Sequence, residues 1–185
     1  PSLLEQAFTQ AASQADAIIT SGGVSVGEAD FTKTMMKKLG DVAFWKIAMR
    51  PGRPMAFGSL KPSSSKSTPT VFFGLPGNPV AVMVTFYQFV RNALLQLNGA
   101  KQVEIPLIPV RSAQGIRKKS GRTEVQRGIV FQYPQGQWVV KTTGSQGAGI
   151  LRSMSEADCF IVLAHDQENI QAGDTVGVVL FEGLV

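Results

Sequence analysis

The sequence predicts an α/β domain over residues 1–100 followed by a small all-β, barrel-like domain over residues 101–185. Three observations carry that division. Before Asn98-Gly99, short β-prone runs alternate with segments whose apolar residues recur at helical spacing. After it, β-prone runs follow one another across Gly, Pro, Asn and Asp turns, with no helical segment of comparable strength. The 185 residues, 44% hydrophobic and 17% charged, suffice for one ordinary globular domain or two small ones.

Each element follows from its own pattern. Residues 3–14 place Leu4, Ala7, Phe8 and Ala11 at helical spacing, continued by Ala15. The run Ala17-Ile18-Ile19-Thr20 then reads as a strand stopped by Gly22-Gly23. A second helix is expected from about Phe31 to Leu39 with Gly40 as its left-handed cap, after which residues 42–50 resume an extended pattern broken by Pro51-Gly52-Arg53-Pro54. Strands over 55–59 and 70–73 flank residues 61–69, whose serines, lysines and prolines can bury nothing and predict a mobile surface loop. Residues 79–97 form the longest helix. It is apolar on most sides, which implies burial on more than one face: it either crosses the centre of the domain or meets a second subunit. The β-prone runs of the second half are 103–110, 122–133, 138–143, 159–164 and 175–181, and closure into a full or partial barrel would remove their exposed edges.

Composition narrows the function classes. The richest apolar stretch, residues 80–97, contains Gln88, Arg91 and Asn92, so no membrane span is expected and the protein is expected to be soluble. The chain opens on Pro1 without a basic-then-apolar leader, and the expectation is a piece of something longer. One cysteine, Cys159, forbids an intrachain disulfide, and with one histidine, His165, it leaves no Cys/His zinc cluster. A reducing, cytoplasmic setting follows. Both residues read as packing and surface residues rather than a nucleophile pair. The net charge of +5 is uneven: residues 111–141 carry seven Lys/Arg against the single Glu124, whereas 153–185 carry six Asp/Glu and no Lys/Arg. A basic stretch attracts nucleic acid, membranes or small anions alike. Only Phe131 and Tyr133 lie near the basic residues, so the aromatic interleaving of a nucleic-acid surface is missing and no nucleic-acid partner is expected.

Two places in the first half share one design: an apolar strand, a Gly/Pro turn, then a helix. In the first, Ser21-Gly22-Gly23-Val24-Ser25-Val26-Gly27-Glu28-Ala29-Asp30 follows the strand at 17–20; in the second, Gly74-Leu75-Pro76-Gly77-Asn78-Pro79 follows Val71-Phe72-Phe73. Glycine lets the backbone turn with its N–H groups exposed, and a helix start adds unpaired donors and partial positive charge, so such turns suit phosphates. Neither matches the dinucleotide fingerprint or the P-loop. Asn78 as N-cap and Pro79 at the first helical position also suit helix initiation alone, so both readings of the second turn stay open. Two such turns in succession favour a ligand, because ligands of open α/β sheets gather where loops converge at strand ends. On an extended segment 42–50, Lys46, Ala48 and Arg50 share a face with the cations roughly 13 Å apart, wide enough for a phosphorylated ligand, with Arg53 just beyond. The alternative is edge-strand charges facing water. Asp30 is either the N-cap of the next helix or a carboxylate beside the glycine turn, where Mg²⁺ would be shared with phosphate oxygens; Ser25-x-x-Glu28 also fits a capping box. Arg122, Arg127 and the glycine-rich 144–149 segment form either an anion-binding rim or a hairpin or bulge.

Four of these motifs, Ser21 to Asp30, Phe44-Trp45-Lys46, Arg50-Pro51-Gly52-Arg53-Pro54 and Gly74 to Pro79, closely resemble in order and spacing the molybdopterin molybdenumtransferases, the family of bacterial MoeA and the gephyrin E domain. The resemblance spans essentially the whole chain. It implies that residues 1–100 are the C-terminal part of an incomplete three-layer, molybdopterin-binding α/β domain, and that residues 101–185 are the family's C-terminal β-barrel domain. The implied activity is insertion of molybdate into adenylylated molybdopterin, with Mg²⁺ present and AMP released. By motif, Ser21, Gly22, Gly23, Val24, Ser25, Gly27, Pro76, Gly77, Asn78 and Pro79 would shape the pterin-phosphate pocket, joined by Pro51, Gly52 and Pro54. Asp30 would be a catalytic or metal-linked carboxylate, and Lys46 and Arg50 would hold oxyanions. The family favours lysine at position 50, where arginine presents a planar fork in place of a compact ammonium. Implied partners are a second copy in a homodimer and the molybdopterin adenylyltransferase. Further acidic residues of the family site belong to upstream sequence and to the partner subunit, so these 185 residues alone are expected to bind weakly and turn over poorly. The other reading is a dimeric scaffold of the gephyrin E-domain type, without catalysis.

Overall fold

A computed structural model describes residues 2–23, 29–62, 66–101, 105–147 and 149–181. The chain runs α1 (Ser2–Gln14), β1 (Ala17–Ser21), α2 (Ala29–Leu39), β2 (Gly40–Lys46), β3 (Met49–Arg50), β4 (Pro54–Leu60), β5 (Thr70–Leu75), α3 (Pro79–Thr85), a π-helical turn (Phe86–Val90), α4 (Arg91–Leu97), β6 (Ile108–Ser112), β7 (Thr123–Gln132), β8 (Trp138–Thr142), α5 (Arg152–Ser155), β9 (Cys159–Leu163) and β10 (Thr175–Leu180). Two units result: Pro1–Ile47 with Gly52–Asn98, and Ala48–Pro51 with Gly99–Val185.

In the first unit the sheet order is β1-β5-β4-β2. β1 and β5 are parallel and β4 is antiparallel to both of its neighbours, so β1, β5 and β2 all finish at one edge of the sheet. Phe8 and Ala12 of α1 and Met35 and Met36 of α2 pack with Val42, Ala56, Leu60 and Phe72 on one face. Val90, with the partly buried Val82, Phe86 and Leu94, packs with Met55, Phe73 and Leu75 on the other. Consecutive residues Phe72 and Phe73 thus feed opposite cores, as strand alternation requires. Each is 2% exposed, and burying such a side chain contributes about 1.5–3 kcal/mol. This is the three-layer α/β arrangement, with helices on both faces.

Several expectations are corrected. Within its unit, the helix Pro79–Leu97 is buried on one face only, through Val80, Ala81, Val84, Thr85 and Val90, while Phe89 and Leu97 are exposed, so of its two expected placements the one across the centre of the domain is overturned. Its 19 residues and mean hydropathy of 1.2 meet the length and composition of a membrane span, yet the buried face lies on the sheet as that of a core helix does. Gly40 does not cap α2. It opens β2 opposite Leu60 without a positive φ, and a Cβ there would collide with the backbone of Ser59 and Leu60, so close strand approach selects glycine. Nor is the 61–69 segment without buried anchorage: Lys66, with a side chain 18% exposed, sends its Nζ to the Ala15 carbonyl at 2.7 Å and to Asp16 Oδ1 at 2.8 Å. Residues 63–65 lie outside the described residues.

The largest correction concerns residues 42–50, which are not one strand. β2 ends at Lys46, and the Ile47 N–H donates to the Arg53 carbonyl (2.8 Å) within the first unit. The Ala48 carbonyl then accepts from Thr123 N–H (2.9 Å), and Met49 and Arg50 pair in parallel with Thr123 and Glu124. Arg50 therefore belongs to the second unit's sheet, and the spacing deduced from a continuous strand does not apply. The Arg50–Pro51 peptide is cis.

In the second unit, the order β3-β7-β8-β6-β10-β9 with a further β7–β9 pairing closes β7, β8, β6, β10 and β9 into a barrel, with β3 as an added edge. Val110, Ile116, Val140, Cys159, Ile161, Leu163, Ile170, Val176 and Val178 fill it. Its first strand begins at Ile108 rather than 103: residues 105–107 are not strand, and 102–104 lie outside the described residues. At Gly128 a Cβ would sit 2.8 Å from Ile161 Cγ1 and 2.9 Å from Cys159 Sγ, so the barrel interior requires glycine there.

Candidate functional site

The parallel register of β1 and β5 sets Ser21 opposite Leu75, which brings both glycine turns to one point. Gly22 N–H donates to the Leu75 carbonyl at 3.0 Å. Gly22 and Gly23 have φ of +86° and +70°, a region glycine enters without steric cost. A Cβ at Gly77 would lie 3.5 Å from Gly22 Cα, so the two turns are in van der Waals reach. Pro76, buried, leads into Asn78, whose Oδ1 accepts from Ala81 N–H (3.4 Å) as N-cap of α3, with Pro79 in the first helical position. Asn78 thus performs the capping its sequence context predicts, and the helix start still faces this edge.

α2 begins at Ala29, so Asp30 lies in its first turn instead of capping it. Because Leu39 runs directly into the start of β2, that first turn stands at the edge where β1 and β5 end. Lys46 closes β2, an exposed edge strand, opposite Pro54. It reaches the same edge, three strand spacings from β1, or about 14 Å. The first unit thus gathers Ser21, Gly22, Gly23, Asp30, Lys46, Pro54, Pro76, Gly77, Asn78 and Pro79 along one rim. Gly52, buried with φ of +99°, belongs to this unit, whereas Arg50 and Pro51 belong to the other. Val24, Ser25 and Gly27, like Glu28, lie outside the described residues.

The second unit has a cavity of about 490 Å³ whose lining includes Arg50, Arg117, Glu124, Gln126, Arg127 and Gln146. Arg127, 1% exposed, donates to Ser153 Oγ from Nε (3.1 Å) and Nη2 (3.0 Å) and to the Gly147 carbonyl (3.1 Å). It has no ion pair among the described residues. Burial pulls its pKa below the usual arginine value, though a guanidinium stays protonated at neutral pH. Glu124, 8% exposed, accepts from Gln126 Nε2 at 3.2 Å through Oε2, and its Oε1 lies 3.9 Å from Arg50 Nη1. Three arginines against one glutamate among the lining residues give the cavity wall a net positive charge, which attracts anions. Arg122 is exposed and outside the lining, whereas Arg127 and residues 145–147 line the cavity. Cys159 is fully buried and His165 is exposed; burial foremost, with the Asp158 charge adding, pushes the thiol pKa upward and keeps it protonated.

Residues 1–96 match the family described as a probable molybdopterin binding domain, and residues 109–181 match the MoeA C-terminal region, domain IV. The chain belongs to the MoeA family. It is 45% identical over 182 residues to a molybdopterin molybdenumtransferase of Haemophilus influenzae, covering 98% of this chain and 43% of that protein. It is 33% identical to a gephyrin of Dictyostelium discoideum, covering 96% of this chain and 27% of that one. The solved structure of a molybdenum cofactor biosynthesis protein from Pyrococcus furiosus superposes with a TM-score of 0.67 at 25% identity, over 97% of this chain and 54% of that chain. This MoeA-family chain therefore spans less than half the length of the Haemophilus and Dictyostelium relatives.

Two features of the MoeA-family chain escape sequence reasoning. The inward side of β7 holds Glu124 and Gln126 opposite Leu163 and Ile161, inside a run whose sequence marks it as β-prone without saying which side of the strand faces the core. Position 50 reads as a continuation of β2 because nothing at 47–48 is a glycine or proline. Among the described residues no group of three His, Cys, Asp or Glu side chains could hold a metal. A magnesium ion bound through one carboxylate takes its other oxygens from water and substrate phosphates, so these residues do not assemble a cage of their own.

Proposed function

We propose that this chain is the molybdopterin-binding and barrel part of a molybdopterin molybdenumtransferase, which inserts molybdate into adenylylated molybdopterin and releases AMP. The observation that carries the reading is the contact of the two glycine turns at the ends of parallel β1 and β5, beside the start of α3. That edge would receive the pterin phosphate, since helix-start donors and open glycine backbone stabilise phosphoryl oxygens without a proton being moved. Lys46, at the same edge, would supply a mobile ammonium to the anion, and Asp30 would share Mg²⁺ with the phosphate oxygens. The second unit's cavity would seat an oxyanion among Arg50, Arg117 and Arg127. A second copy of the chain, docking on the exposed side of Pro79–Leu97, the adenylyltransferase as supplier of the substrate, and a cytoplasmic setting complete the proposal.

The test is equilibrium binding of molybdopterin to the 185-residue chain, read by pterin fluorescence. Lys46→Ala is expected to weaken binding about tenfold, the loss of one charge-assisted contact. Equal affinity in Lys46→Ala and the unmodified chain would remove Lys46 from the site, and no binding at all to the unmodified chain would remove the rim.

A further inference from the structure

Glu124 is an unusual residue to find in an anion-attracting cavity. On β7 its register partner is Leu163, and the neighbouring inward residues Gln126 and Gly128 face Ile161 and Cys159, so the carboxylate enters the barrel end on the side of the apolar filling. Taking a carboxylate out of water is costly unless strong partners replace the lost hydration. Glu124 has weak ones: an amide donor at 3.2 Å and the Arg50 guanidinium at 3.9 Å, the outer limit of an ion pair. The Arg50 side chain is 67% exposed and that of Glu124 only 11%, so one partner is fixed and the other is free to leave. Only two residues of β3 join this sheet, and the register sets Arg50 directly beside Glu124. A short edge strand that contributes little to the barrel core thus delivers one cation to one carboxylate at the cavity wall.

We infer that Glu124 is a positioning residue that latches Arg50 when the cavity is empty, and that a dianionic oxyanion competes with Glu124 for this guanidinium. The charge count agrees. Arg50, Arg117 and Arg127 outnumber Glu124 among the lining residues, so the cavity wall is net positive and favours an anion. The latch holds Arg50 at the mouth in a defined place, and its weakness lets the guanidinium turn its remaining donors to the ligand as a planar fork. Release of the Glu124 contact is then part of the cost of binding, and the observed affinity is lower than the open cavity would give. This inference rests on the reading of the cavity as an oxyanion seat.

The experiment is calorimetric titration of the unmodified chain, Glu124→Gln, Arg50→Met and the double variant. Inorganic molybdate is used in one arm and AMP, a phosphomonoester, in the other, so that a free oxyanion and a phosphate end group are told apart. Glutamine keeps the shape and the polar contact with Gln126 while removing the latch. Glu124→Gln is expected to tighten binding in one arm about threefold to fivefold, the range of a partly exposed ion pair, and the gain is expected to vanish in the Arg50→Met background. Glu124→Asp serves as a second variant: it retains the charge but draws it back from Arg50, so a latch predicts tighter binding there as well. A gain of equal size with and without Arg50 would reduce Glu124 to a repelling charge and overturn the latch, as would unchanged affinity in both Glu124 variants. If neither arm binds to any of the proteins, the oxyanion seat itself falls, and the latch with it.

Discussion

Thr70 offers a sharp test of how α1 is fastened to its sheet. Its hydroxyl, in a residue 1% exposed, shares its one proton between two carbonyls at the helix end, at 3.0 Å from Ala12 and 2.9 Å from Ala15. Lys66 Nζ reaches the same Ala15 carbonyl at 2.7 Å. Thr70→Val keeps the shape and removes the donor. Ala15 keeps the ammonium, but the buried Ala12 carbonyl loses its side-chain donor, a loss of about 1–2 kcal/mol for a buried acceptor. The chain has two tryptophans, Trp45 in the first unit and Trp138 in the second. In a Trp138→Phe background, fluorescence therefore follows the first unit alone. With a urea dependence of about 1–1.5 kcal/mol per molar for a unit of this size, the unfolding midpoint should fall by about 1 M. Adding Lys66→Met strips the last donor from Ala15, so the double variant should lose more than the two single losses summed, the coupling expected of two donors covering one acceptor. A midpoint unmoved by Thr70→Val, or strictly additive losses, would refute this account of the helix end.

Gly128→Ala should destabilise the second unit by about 1–3 kcal/mol through overpacking, read by Trp138 in a Trp45→Phe background. Ile161→Val added to it should recover part of the loss, since it removes Ile161 Cδ1, which lies 2.9 Å from the new methyl. The buried Cys159 thiol gives a pH signature. Its folded pKa lies above the ordinary value of 9.0, so the unfolded chain loses this proton first, and the stabilisation, full below pH 9, is lost as pH rises beyond it. Unmodified protein should lose stability relative to Cys159→Ala above pH 9, by up to about 1.4 kcal/mol per pH unit, measured by urea unfolding at stepped pH; parallel pH curves would contradict the burial argument.

Where local chemistry decides the structure, the sequence was readable. The Asn78-Pro79 start of the long helix, the strand expected at 70–73 and the turn-rich strands of the second half all carry their own signals, and the structure places elements there. The misreadings occur where a distant partner decides. Gly40 looked like a helix cap because glycine after Leu39 is the common stop, yet its identity is set by the backbone of Ser59 and Leu60 across the sheet. Val42 to Arg50 had no internal breaker, and the change of sheet at Ile47–Ala48 is dictated by Thr123, more than seventy positions on. For the candidate site, the two glycine turns were visible as motifs, but their contact depends on the β1–β5 register. The second cavity was half visible. Arg127 had been singled out with its glycine-rich neighbours, whereas Glu124 reads as the single acid of a basic stretch, and only the barrel closure turns it inward.

The short excursion of Met49 and Arg50 also limits how this chain can be rearranged. The barrel borrows its outermost strand from the middle of the α/β sequence, so cutting at residue 98 does not yield a self-sufficient cassette: the piece from residue 99 onward leaves the Thr123–Glu124 segment without its neighbour. Gene shuffling that exchanges the second half between relatives would also have to carry along the four residues 48–51. The two halves are therefore bound to vary together at that crossing, however freely the rest of each drifts.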